Sequence, residues 1–90
     1  MEYSIETIYN KVKEILQTLY NEEVDISMDT HLETEGDSFL DMSSLEIVNF
    51  IINIEKEFDI IIDFDDRYYT VGDVVYGVYK HLSEKQNNDL

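Results

Sequence analysis

Three serines stand in or just ahead of the most apolar segment of the chain: Ser38 within GDSF, and the adjacent pair Ser43 and Ser44 that opens SSLEIVNFIINIEKEF. A serine hydroxyl attacks a carbonyl only beside a general base and an oxyanion hole. The imidazoles available are His31 and His81, and no G-x-S-x-G elbow frames any of the serines. Hydrolytic chemistry is therefore not expected. The acidic run DFDDRYYTVGDV begins like a calcium loop, with Asp63 and Asp65 at the first ligand spacing. Its sixth position is not Gly and its twelfth is Val74 rather than Glu, so no metal site is expected. Cys is absent, which excludes a disulfide framework, a thiolate zinc site and a cysteine nucleophile. The chain reads as a protein that is not an enzyme.

What remains for the serine pair is the start of a helix. Ser43 and Glu46 form S-x-x-E, the capping-box spacing in which the hydroxyl takes the N3 amide and the carboxylate returns to the cap amide. Ser43 is then a cap, and Ser44 falls at the first helical position with its hydroxyl free.

The elements that would position these residues follow from apolar spacing. Ile5, Ile8, Val12, Ile15, Leu16 and Leu19 share one face of a first helix, predicted over about residues 5–20 with Ser4 as its cap. From Asn21 to Met42 the periodicity fades into a long acidic loop, expected to be tied down by Ile26, Leu32 and Phe39 or Leu40. Helix II is predicted from the serine pair to about Phe58. A connector, IIIDFDDRYY, follows, with one helical turn expected around Asp65 to Tyr69. Thr70 and Asp73 repeat the capping-box spacing. Val71, Val74, Val75, Val78 and Leu82 then mark the buried stripe of a last helix ending near Ser83, with a frayed tail over about residues 84–90. The expected architecture is one all-α domain over residues 1–90. It is a small irregular four-helix bundle, with three main helices, one short helix and a long loop between helices I and II.

Helix II carries two apolar faces. Ile47, Phe50, Ile51, Ile54 and Phe58 form the stripe a core requires, while Leu45, Val48 and Ile52 form a second one to its side. Burial nearly all round the helix would explain both. The alternative is an exposed apolar strip rimmed by Glu46, Asn49 and Glu55, which is the composition of a protein-binding surface.

Charge narrows the class of partner. The net charge is −15, and 15 of the 21 acidic residues lie between Glu22 and Asp66, where Lys56 is the one base. Such a field repels nucleic acid and anionic membranes and steers basic protein surfaces toward it. No basic region followed by an apolar core opens the chain, and no apolar run is long enough to span a bilayer, so a cytoplasmic protein is expected.

These residues resemble the acyl carrier protein family. SSLEIVNFIINIEKEFDI is similar to the family's helix II motif, D-S-L-D/E followed by an apolar helix ending L-E-x-E-F-G-I, and TVGDVV resembles the opening of its last helix. The resemblance covers most of the chain. It implies a 4′-phosphopantetheine arm on the serine at the start of helix II, carrying acyl or aminoacyl thioesters. In the family that serine stands fourteen residues before the helix-ending Phe, and counting back from Phe58 gives Ser44. Ser38 would need an insertion inside the helix, which would rotate every later side chain. Ser44 is the expected attachment site, with Ser38 and Ser43 as the alternatives. The thiol of such an arm would give thioester chemistry to a chain that has no Cys.

The implied partners are a phosphopantetheinyl transferase, an acyl- or aminoacyl-loading ligase, and condensing or tailoring enzymes with basic docking surfaces. They would meet a monomeric, stand-alone carrier on Leu45, Glu46, Val48, Asn49, Ile52 and Glu55. Two departures from the pattern point to a specialised biosynthetic pathway. Ser43 stands where the family has Asp, and the stretch from Phe58 to T-V-G-D is shorter than in many relatives. The competing expectation is an unmodified acidic helical adaptor with a carrier-like fold, in which both serines serve only as caps.

Overall fold

A computed structural model describes residues 3–20, 26–33, 40–62 and 68–87. It is all-helical, with α1 over Ile5–Tyr20, α2 over Ser44–Phe58 and α3 over Val71–Asn87. Among the described residues there is no strand, only one isolated antiparallel bridge between His31 and Thr70. The short fourth helix expected around Asp65 to Tyr69 falls largely on residues 63–67, which lie outside the described residues; Tyr68 and Tyr69 are not helical.

Each helix begins where its sequence supplies a side-chain oxygen for the orphan amides of a first turn. Ser4 Oγ accepts the Thr7 amide at 3.1 Å. Ser43 and Glu46 close a reciprocal capping box at the start of α2. At α3, Thr70 Oγ1 accepts the Asp73 amide at 3.1 Å, while Asp73 Oδ2 accepts the amides of Tyr69 and Thr70 at 2.9 and 3.0 Å. α2 stops at Asp59, which turns into the left-handed region at φ 53° and donates its amide to the Glu55 carbonyl. α3 runs to Asn87, four residues beyond the stop expected at Ser83. Glu84, Lys85 and Gln86 are all good helix formers, and no Gly or Pro interrupts them.

The core forms from the predicted stripes. Ile8, Val12 and Leu16 of α1, Phe50, Ile51, Ile54 and Phe58 of α2, and Val71, Val74, Val75 and Val78 of α3 are buried together. α1 packs against both other helices, which meet each other only weakly. Connector residues complete the same cluster: Ile26, Leu32, Leu40, Met42 and Ile62 are all buried in it. Of the loop anchors expected, Ile26, Leu32 and Leu40 are thus in place, and Phe39 lies outside the described residues.

Backbone bonds lace the loop onto the bundle. Val71 and Gly72, at the start of α3, donate to the carbonyls of Thr30 and Met28 at 2.9 and 2.8 Å. Leu32 donates to the Tyr69 carbonyl at 2.9 Å, and Thr30, itself buried, closes a turn with Ser27. Tyr9 of α1 holds the loop from below, its hydroxyl donating to the Ile26 carbonyl at 2.9 Å.

Candidate functional site

The site is built at the first turn of α2. Ser43 takes the extended backbone of an N-cap, at φ −74° and ψ 168°. Its Oγ accepts the Glu46 amide at 3.2 Å, and its own amide donates to Glu46 Oε1 at 3.1 Å. Its carbonyl accepts the Ile47 amide at 3.0 Å, the first main-chain bond of the helix. The Ser43 hydroxyl is therefore occupied.

Ser44 is placed differently. It is exposed at the first helical position, and its hydroxyl enters none of the hydrogen bonds among the described residues. The amides of Ser44 and Leu45 also have no partner there, as expected for the first turn of a helix. An exposed hydroxyl thus stands beside free N–H groups at the positive end of the helix dipole, a place that favours an anionic substituent. Ser38 lies outside the described residues.

The second apolar stripe of α2 faces solvent. Leu45 is 78% exposed, and Val48 and Ile52 are each 38% exposed, while the core stripe behind them is buried except for Ile47, which is half-buried. Spacings of three and four residues make these three side chains neighbours along one side of the helix, running from beside Ser44 to the middle of α2. Glu46 and Asn49 are exposed at its edge. Glu55 is half-buried, and its Oε2 accepts the Ile62 amide at 2.7 Å. That bond gives Glu55 a structural task which its position in the sequence did not signal.

Charge is arranged around the ends of α2. Residues 21–43 hold eight acids and no base, and residues 59–70 hold four acids and one base. α1 and α3 each carry two acids and two bases, so the helices that support α2 are neutral by themselves. The acidic field belongs to the connectors that enter and leave α2.

Among the described residues, none of the other candidate groups makes a hydrogen bond to this turn. Among the described residues no three His, Asp or Glu side chains are grouped to hold a metal ion. His31 sits at the bridge to Thr70 with its Nδ1 buried and without a hydrogen-bond partner, and His81 is half-buried on α3. A groove of about 140 Å³ between α1 and α2 is lined by Glu14, Ile15, Thr18, Leu19 and Asn53. Asn53 lies about 13 Å along α2 from Ser44 and half a turn round it, so this groove is not continuous with the serine. Tyr76 and Tyr79 lie on the outer face of α3, exposed, while Tyr9 is half-buried. No helix among the described residues is long and apolar enough to cross a membrane. No family model matches the chain, and no curated protein is significantly similar to it.

Proposed function

We propose that this protein is a carrier of acyl or aminoacyl groups, bearing 4′-phosphopantetheine on Ser44 and presenting its cargo to partner enzymes in the cytoplasm. The observation that supports it best is the division of labour in the serine pair. Ser43 is consumed by the capping box, and Ser44 is exposed with a free hydroxyl beside unpaired amides. The residues fit the group: Ser44 Oγ would form the phosphodiester, and the unpaired amides of Ser44 and Leu45 in the same turn would be donors for its charge. When bound, the arm would supply a thiol that holds the cargo as a thioester.

This chain's own contribution is presentation. Attachment needs no base within the protein when a separate transferase activates coenzyme A. Leu45, Val48 and Ile52, with Glu46, Asn49 and Glu55 at the margin, would receive the transferase, the loading ligase and the condensing or tailoring enzymes. The acidic connectors would attract their basic docking surfaces. The proposal includes the four-helix carrier architecture, with its short extra turn in the connector between α2 and α3, and a place in a specialised biosynthetic pathway.

The test is intact mass before and after incubation with coenzyme A and a broad-specificity phosphopantetheinyl transferase, followed by peptide mapping. A gain of one phosphopantetheine on the Ser44 peptide, lost in Ser44→Ala, is the expected result. Attachment at Ser38 would move the site into the loop. No gain with several transferases would favour the unmodified adaptor, for which the exposed stripe alone would suffice.

A further inference from the structure

The first turn of α2 has almost no hold of its own on the bundle. Ser44, Leu45 and Glu46 are all exposed, Ile47 is half-buried, and full burial begins only at Phe50. Beside Ile47, which packs against the core, and the helix that follows, the chain immediately ahead holds that turn in place. Met42, buried one residue before the cap, donates its amide to the Leu32 carbonyl at 2.8 Å, and Leu40 donates to the neighbouring His31 carbonyl at 2.9 Å. Between them Asp41 takes a left-handed conformation at φ 54°. As in a bulge, this extra residue lets two amides two positions apart reach two successive carbonyls.

The same short segment serves the other helix. The carbonyls of Met28 and Thr30 accept Gly72 and Val71, and the Leu32 amide reaches the Tyr69 carbonyl. Carbonyls 28 and 30 thus hold the start of α3, while carbonyls 31 and 32 hold the lead-in to α2. Leu32 and Thr30 are buried to 0 and 1% exposure, so the segment is itself seated in the core.

We infer that Met28–Leu32 is a positioning segment: it sets where Ser44 stands relative to the bundle and couples the first turn of α2 to the first turn of α3. α2 and α3 share little direct packing, so this splice is the short physical route between their starts. A partner that grips Ser44 or Leu45 therefore also loads the Thr70–Asp73 turn, and the reverse holds equally. The functional meaning of that coupling rests on the carrier reading, but the coupling itself does not.

Amide hydrogen exchange tests it on the full chain. An ester in place of the Met42 amide removes one donor and no side chain, and Gly72→Ala pushes on the Met28 carbonyl at the opposite end. The reporters are the amides of Glu46 and Ile47 in α2 and Val74 in α3, read against Val12 in α1. Each change is expected to speed exchange at both helix starts by about tenfold more than at Val12, whose exchange follows the stability of the whole bundle. Acceleration confined to the altered end, or equal acceleration of Val12, would overturn the inference. If Gly72→Ala fails to fold, the ester variant alone decides, because Val74 lies far from Met42 in sequence.

A transferase assay adds a functional readout, taken where circular dichroism shows the ester variant fully folded so that unfolding does not contribute to it. The ester variant should raise KM for the protein several-fold at unchanged kcat, since only the correctly held fraction can dock. An unchanged KM would count against positioning. If the unaltered chain accepts no arm, the carrier reading fails, while the exchange result still stands or falls by itself.

Discussion

The carboxylate of Glu55 accepts the Ile62 amide at 2.7 Å, so a residue on the flank of α2 holds the chain that leaves it. The bond folds the connector back past the left-handed turn at Asp59, burying Ile62 while leaving Ile61 85% exposed. A charge-assisted bond in a half-buried setting contributes about 1–2 kcal/mol. Glu55→Ala is expected to lose about that much in urea denaturation, and Glu55→Gln, which keeps an acceptor, less than half of it. An unchanged midpoint for Glu55→Ala would mean that the Ile62 amide is as well served by water.

The two adjacent serines should separate cleanly. Ser43→Ala removes the acceptor of the Glu46 amide and leaves the Ser43 amide that donates to the Glu46 carboxylate, at a cost of about 1 kcal/mol. Ser43→Asp should restore the loss. Ser44→Ala touches no hydrogen bond and should leave the melting temperature within error, yet it should abolish arm attachment. The reverse pattern, with a large stability loss at Ser44 and none at Ser43, would mean that the helix starts one residue later.

Much of this was legible because its causes are local. Ser4, Ser43 and Thr70 each lie at capping distance from the amide they serve, so the helix starts could be read from short spacings. The buried stripes followed from periodicity, and Ile26, Leu32 and Leu40 were legible as anchors because each is a branched aliphatic side chain set among acids and polar residues. The splice at Met28–Leu32 was not legible. Its bonds join backbone to backbone, and no side chain records which carbonyl meets which amide. Glu55 was hidden for a related reason. A glutamate facing solvent and one turned to an amide seven residues on have the same place in a helical pattern. The end of α3 was misjudged because the apolar stripe stops at Leu82 while helix-forming residues continue to Gln86.

Gly72 shows what the splice demands. A Cβ at that position would lie 2.9 Å from the Met28 carbonyl oxygen, which is backbone and already bonded to the Gly72 amide. Gly72→Ala should therefore cost about 1–3 kcal/mol, despite alanine's better helix propensity. Gly77 is the comparison. Its Cβ would meet the Tyr68 ring at 2.7 Å, and that ring belongs to a side chain rather than to a hydrogen-bonded backbone carbonyl. Gly77→Ala should cost less than Gly72→Ala in thermal unfolding. Equal losses would show that the Met28 carbonyl yields as readily as a tyrosine ring.

The exposed stripe gives the sharpest separation between fold and recognition. Leu45 is 78% exposed, so Leu45→Glu removes little buried surface and should leave stability within about 0.5 kcal/mol. Val48 and Ile52 retain more cover at 38% exposure, and a glutamate at either should cost about 1 kcal/mol or less, because its carboxylate can reach water. Both should weaken binding to a basic partner far more than they weaken folding. Apolar contact is lost from the centre of the docking surface, and a new charge must be desolvated there. Titration calorimetry with any transferase that modifies the chain, alongside circular dichroism of each variant, separates the two effects. A tenfold or greater loss of affinity with helicity intact is expected for Val48→Glu and Ile52→Glu. If they unfold the protein instead, the stripe belongs to the core, and the partner surface must be sought on the neutral faces of α1 and α3.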